Sequence, residues 1–185
     1  MKKVAFFAYE GCAIWQVALL LMILEQEQCS IRTLTLGGLD VRCAGGLRLQ
    51  ADIALEQAAP RDYDLLVMVG GPINATLAED TRVHRFLRQF DGSRGRIAAS
   101  CTSSIFLAAS GLLGGLAFTA LPETVQAFAD WYANGIFKDE DVTTDGNITT
   151  AKGHAYVSWT GEVLMHLGYD AHIYQTKVRA LAGRV

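Results

Sequence analysis

Arg96-Ile97-Ala98-Ala99-Ser100-Cys101-Thr102-Ser103-Ser104-Ile105-Phe106-Leu107-Ala108-Ala109-Ser110-Gly111 is the stretch on which the reading of this chain turns. A short run of small apolar residues leads into one cysteine, and a helical pattern follows until Gly111 stops it. That order predicts a strand, a sharp turn at Cys101 and a helix, the geometry of a nucleophile elbow. A side chain at such a turn is held out of the sheet at the N-terminus of the next helix. There, free backbone N–H groups and the helix dipole favour an anion, and so a thiolate. Ala98, Ala99 and Ser100 are small enough to let other chains come close. The same stretch also fits a buried structural cysteine, since a free thiol packs as a small hydrophobe. The remainder of the chain has to decide between the two.

Working outward, Val4 to Ala8 is a continuous apolar run of the kind buried on both faces of a parallel sheet. Ile14 to Glu27 has no breaker and predicts a buried helix, and Ser30 to Leu36 alternates as a strand before Gly37-Gly38. Val41 to Leu49, with Gly45-Gly46 between its halves, predicts a small hairpin, and Ala51 to Pro60 an irregular connection. Tyr63 to Val69 is a second buried strand closing at Gly70-Gly71-Pro72. A helix from about Glu79 to Phe90 buries Val83, Phe86, Leu87 and Phe90 and exposes its arginines and His84.

Beyond the elbow, Leu116 to Ala120 reads as a short strand and Pro122 opens a helix with Val125, Phe128 and Trp131. Val142 to Thr150 is a hairpin about Asp145-Gly146, and a helix from about Ser158 to Leu167 ends at Gly168. The tail, Ala171 to Val185, is weakly patterned. Strands alternating with helices in a single domain, 1–185, predict an α/β fold with a mainly parallel sheet covered on both faces. Ligands of such folds bind outside the carboxyl ends of the strands. The turn after the first strand, Gly70-Gly71 and Cys101 all fall on that edge, which favours the reactive reading of Cys101.

The bulk properties exclude several classes. At 185 residues with 51% hydrophobic and 19% charged residues the chain can bury a sizeable core. Its net charge of -3, with no basic run interleaved with aromatics, predicts neither nucleic acid nor anionic membrane as a partner. Cys12, Cys29, Cys43 and Cys101 form no metal-ligand spacing, so no metal and no cofactor are expected, and thiols without a disulfide framework suggest a reducing, cytoplasmic setting. The apolar run after Met1-Lys2-Lys3 is too short for a signal peptide, and Val17 to Leu24 is far below a membrane span.

Gly70-Gly71 at a strand end lets backbone approach a ligand and aim N–H groups at it. With the N–H of Thr102 it could form an oxyanion hole for a carbonyl attacked by Cys101, or it could simply be a tight turn. There is no glycine-rich nucleotide loop and no Walker lysine.

Taken together, Met68-Val69-Gly70-Gly71-Pro72, Ile97-Ala98-Ala99-Ser100-Cys101-Thr102 and Asp145-Gly146-Asn147-Ile148-Thr149-Thr150-Ala151-Lys152-Gly153 resemble the DJ-1/ThiJ/PfpI superfamily, within the class I glutamine amidotransferase-like fold. The resemblance covers nearly the whole chain in the right order. It implies a flavodoxin-like three-layer sandwich, a homodimer, and an elbow cysteine as the functional residue. Members include cysteine peptidases or amidases, glyoxalase-type or deglycase enzymes, isocyanide hydratases, chaperones and oxidation sensors, so membership fixes no reaction.

Two departures carry weight. Where members place a glutamate at the start of the first helix, this chain has Gln16 after Trp15, a candidate pocket residue; an amide can donate a hydrogen bond to a thiolate but cannot shuttle a proton. A different alignment near Glu10 would bring that carboxylate closer instead. Where many members carry a histidine after the elbow helix, this chain reads Phe118-Thr119-Ala120, so the usual Cys-His pair is missing there. The His-x-Glu pair of true glutamine amidotransferases is also absent.

His154, after Gly153, is a candidate base or thiolate partner for Cys101, or else a residue lining that loop. His84, His166 and His172 read as surface or helix residues, and Cys12 as a possible resolving thiol. Two functions follow. One is an enzyme in which Cys101 attacks or hydrates a small carbonyl or amide-like substrate, with Gln16 orienting the thiolate. The other is a non-enzymatic redox sensor or small-molecule-binding protein.

Overall fold

The computed structural model describes residues 1–93, 95–170, 176 and 178. Its strands are β1 (Lys3–Phe7), β2 (Ser30–Thr35), β3 (Val41–Arg42), β4 (Arg48–Leu49), β5 (Ile53–Ala54), β6 (Leu65–Met68), β7 (Arg96–Ser100), β8 (Ala117–Phe118), β9 (Ile136–Phe137), β10 (Val142–Asp145) and β11 (Ile148–Ala151). Its α-helices are α1 (Ala18–Gln26), α2 (Ala75–Ala78), α3 (Thr81–Gly92), α4 (Ser104–Ala109), α5 (Pro122–Ala127), α6 (Ala129–Tyr132) and α7 (Tyr156–His166).

Seven strands form one sheet in the order β10-β11-β7-β6-β1-β2-β5, parallel throughout except for the β10–β11 hairpin. This is the doubly wound α/β architecture expected, in which the order of the strands reverses between β1 and β6. Val4, Ala5, Phe6 and Phe7 of β1 are all buried, so both faces of the central strand are covered, as its unbroken apolar run requires. On α3, Val83, Phe86, Leu87 and Phe90 point inward as the spacing predicts, each side chain contributing about 1.5–3 kcal/mol by burial. Asp80 caps that helix by accepting from Arg82 N–H at 2.9 Å. Phe7, Tyr9 and Phe106 pack ring on ring, with centroids 5.6 to 6.0 Å apart, and fasten α4 to the end of β1.

Several expected elements take a different form. The Ile14–Glu27 helix is divided into a 3-10 turn, Ile14–Gln16, and α1, and the Gln16 side chain at the end of that turn points inward to accept from Gly70 N–H. The Ala51–Pro60 connection contains β5, which pairs with β2 through Leu34↔Ile53 at the sheet edge; two residues are too few to show a period. The segment at Leu116–Ala120 pairs with β9 in a separate two-stranded sheet rather than joining the main one. The helix opened by Pro122 breaks at Phe128, whose φ of -125° leaves the helical region while its ring stacks on Trp131 at 5.0 Å. Apart from residues 176 and 178 the tail, His172 included, lies outside the described residues.

Candidate active site at the strand ends

The carboxyl ends of β11, β7, β6 and β1, neighbours in the sheet, bring the site together. Cys101 follows β7 with φ at +61°, a left-handed conformation that costs a non-glycine residue about 1–2 kcal/mol. Strain of this kind persists only where the surroundings over-determine it. Here Ser103 Oγ donates to the carbonyls of Ser100 and Met68 at 2.7 and 3.1 Å. Ser104 Oγ reaches the Cys101 carbonyl at 3.2 Å and Tyr132 Oη at 2.7 Å. Thr102 Oγ1 donates to Gly71 O and accepts from Gly71 N–H, both at 2.9 Å. The run of hydroxyl residues after the cysteine thus pins the turn to β6 and to α6.

Two glycines exist to make room for the thiol. A Cβ on Gly70 would stand 2.7 Å from Cys101 Cβ and 2.8 Å from its Sγ. A Cβ on Gly153 would stand 2.7 Å from Gln16 Nε2 and 3.0 Å from Cys101 Sγ. The Gln16 amide and the Cys101 sulfur therefore face the same point of the β11 loop. Gln16 is buried, and its Oε1 accepts from Gly70 N–H at 2.9 Å, which fixes which end of the amide carries the donors. Cys101 itself is half-buried.

Of the residues singled out in the sequence, Cys101, Gln16, Gly70, Gly71 and Thr102 meet in this place. The Gly70 and Gly71 N–H groups already have partners, in Gln16 and Thr102. Glu10 is exposed and its carboxylate accepts from Arg42 N–H, so the position facing the thiol is that of Gln16. Trp15 is 53% exposed and meets Tyr156 edge to face at 5.9 Å. His154 adjoins Gly153, but its Nε2 lies 3.0 Å from Asp141 Oδ1 and its side chain is 64% exposed.

The other described histidines also have partners elsewhere, His84 with Ala78 O and His166 with Thr149 Oγ1. Ala120 is buried. Among the described residues, no group of three or more His, Cys, Asp or Glu could hold a metal ion, and no helix is long and apolar enough to cross a membrane.

Sequence reasoning overlooked Tyr9. Its hydroxyl donates to Val69 O at 2.9 Å and sits where a Cβ on Gly71 would be 2.8 Å away. Burial first, then the neighbouring Cys12 and Cys101 sulfurs, push its ionisation far above the usual tyrosine range, so it stays a neutral donor. Burial likewise raises Tyr132, behind Ser104. An aromatic residue at the end of a buried strand reads as core until the fold shows what its hydroxyl meets.

Known proteins resemble this chain in sequence and in fold. Protein dj-1beta of Drosophila melanogaster is 30% identical over 118 residues, and the match spans 62% of its length. The uncharacterized protease YdeA of Bacillus subtilis is 28% identical over 92% of this chain and 85% of its own. The glutathione-independent glyoxalase DJR-1.2 of Caenorhabditis elegans is 30% identical over 61% of this chain and 59% of its own. The crystal structure of the DJ-1 superfamily protein Atu0886 from Agrobacterium tumefaciens superposes with a TM-score of 0.87 at 24% identity, covering 99% of this chain and 98% of that one. That likeness establishes the fold. The DJ-1/PfpI family model matches residues 2–166, and with the strand-end cysteine, its glycine cradle and the sheet order in place, this chain belongs to the DJ-1/PfpI family.

Proposed function

We propose that the protein is a cysteine-dependent enzyme acting on small carbonyl compounds, 2-oxoaldehydes foremost, with Cys101 as nucleophile. The observation that carries this reading is the half-buried Cys101 held in a left-handed turn, with the Gln16 amide facing the same point as its sulfur. The sulfur forms a C–S bond to the carbonyl carbon while the carbonyl electron pair moves to oxygen. Gln16 orients the sulfur through its Nε2 donors. The Thr102 N–H, at the start of a helical segment, and the Gly71 N–H, once released from Thr102 Oγ1, answer the developing oxyanion. The name of the nematode relative, a glyoxalase, supports the substrate class.

A second reading, a redox-sensing or small-molecule-binding protein, draws on the histidines. Among the described residues, His84, His154 and His166 are engaged away from the thiol, and the neutral Gln16 amide faces it. Turnover of methylglyoxal by the wild type, abolished in Cys101→Ser and reduced in Gln16→Leu, supports the enzyme. No turnover together with stable sulfinic acid at Cys101 after mild peroxide supports the sensor.

The 3-10 turn and α1 expose Trp15 and Met22 to solvent. We assign this apolar face to a homodimer contact. Sedimentation giving the monomer mass at micromolar concentration would remove that assignment.

A further inference from the structure

Two cysteines that the Cys101 chemistry leaves unused, Cys12 and Cys43, lie with their Sγ atoms 3.6 Å apart. Cys12 is 0% and Cys43 3% exposed. One belongs to the turn after β1, the other to the turn between β3 and β4. Gly11 N–H donates to Arg42 O at 2.7 Å and Ala44 N–H to Cys12 O at 3.0 Å, so backbone hydrogen bonds fasten the two segments on either side of the sulfurs. The sulfurs are already in van der Waals contact, and the two backbone bonds hold the segments at that separation. A sulfur–sulfur bond of about 2.05 Å then needs side-chain rotation rather than movement of whole elements.

The cover over Cys43 is thin. Ala44, Gly45, Gly46 and Leu47 are all exposed, and the two glycines each hold a left-handed φ of +88°. The turn is closed by Cys43 N–H to Leu47 O and Gly46 N–H to Cys43 O. A small solute reaches the pair when this turn opens.

We propose that Cys12 and Cys43 are an oxidisable dithiol that closes to an intramolecular disulfide when the protein meets a hydroperoxide, without the help of Cys101. The terminal oxygen of the hydroperoxide transfers to one thiol sulfur as the O–O bond breaks, leaving a sulfenic acid and an alcohol or water. The second sulfur attacks the first, the S–S bond forms, the S–O bond breaks, and the hydroxyl departs as water with the second thiol's proton. Two electrons pass to one hydroperoxide and the protein loses two hydrogens.

Burial, the Cys12 sulfur and the Glu10 carboxylate all push the Cys43 thiol upward, which makes the closure slow at neutral pH. The bond would form beside the active site. Ala13 N–H donates to Gly70 O at 2.7 Å, and a Cβ on Gly71 would stand 3.0 Å from Cys12 Cα, so the turn that carries the dithiol also holds Gln16 and the glycine pair in place.

The test uses the full chain as wild type, Cys101→Ser and Cys43→Ala, exposed to hydrogen peroxide at pH 9 and alkylated under denaturing conditions. Intact mass and peptide mapping are the readouts. Expected are two fewer alkyl groups on Cys101→Ser than on its reduced control, a peptide pair joining residues 12 and 43 in both that variant and the wild type, and no cross-linked peptide containing residue 12 in Cys43→Ala. Full alkylation of Cys12 and Cys43 in wild type whose Cys101 has oxidised would overturn the proposal, as would cross-links joining either residue to Cys29 or Cys101 instead.

Discussion

Replacing Gly153 by alanine puts one methyl group into the space on which the site depends. Gly153 has no left-handed φ, so the backbone accepts alanine and the cost is steric alone. The new Cβ would stand 2.7 Å from Gln16 Nε2, 3.0 Å from Cys101 Sγ and 3.1 Å from Cys101 Cβ. None of these neighbours is free to yield. Rotating the Gln16 amide surrenders its bond to Gly70 N–H, and moving Cys101 disturbs a turn pinned by Ser103, Ser104 and Thr102. Overpacking of a fitted interior costs about 1–3 kcal/mol, and an amide N–H left without its partner costs a similar amount.

With about 2–4 °C of melting temperature per kcal/mol for a domain of this size, the midpoint of Gly153→Ala should fall by roughly 2–12 °C. Its Cys101 should react several-fold more slowly with iodoacetamide in the native state. Gly92→Ala is the control: it closes α3, has nothing within 4 Å of its Cβ, and should leave both readings unchanged or raise stability slightly. Thermal unfolding and alkylation timed by mass spectrometry decide the matter. A Gly153→Ala protein with wild-type midpoint and wild-type alkylation would mean that Gly153, Gln16 and Cys101 do not share one filled space.

Three further outcomes follow from other features. Cys101→Gly should be more stable than Cys101→Ala by about 1 kcal/mol in urea unfolding, because both lose the sulfur and only alanine retains the left-handed strain at φ +61°. Burial and the nearby Arg96 charge lower the His166 ionisation, so the folded state resists a proton that the unfolded chain accepts. Stability from this source is full above the unfolded value of about 6.5 and is lost as pH falls through the lower folded value. His166→Gln should therefore flatten the decline of the unfolding midpoint on the acid side of that pH. Asp80→Ala should cost about 0.5–2 kcal/mol in the same assay, since it removes the cap of α3 and the partner of Arg82 at 2.6 Å.

The strand-turn-helix around Cys101, the buried strands beside it and the family are legible in the residues alone, because those are properties of nearest neighbours: an apolar run, a cysteine among small residues, a glycine pair at a strand end. Gln16 stands out there too, since a departure from a family pattern is visible residue by residue. What each group faces emerges once the chain is folded. That Gln16 Oε1 takes the Gly70 N–H, that His154 turns to Asp141, that Tyr9 lies under the glycine pair and that Cys12 meets Cys43 are contacts between segments far apart in the chain. The physical reason is that a hydrogen bond or a sulfur contact depends on where side chains end after the sheet has ordered its strands, and no local period carries that order. β5 escaped notice on the same ground, since a strand of two residues is defined by its partner and not by its own pattern.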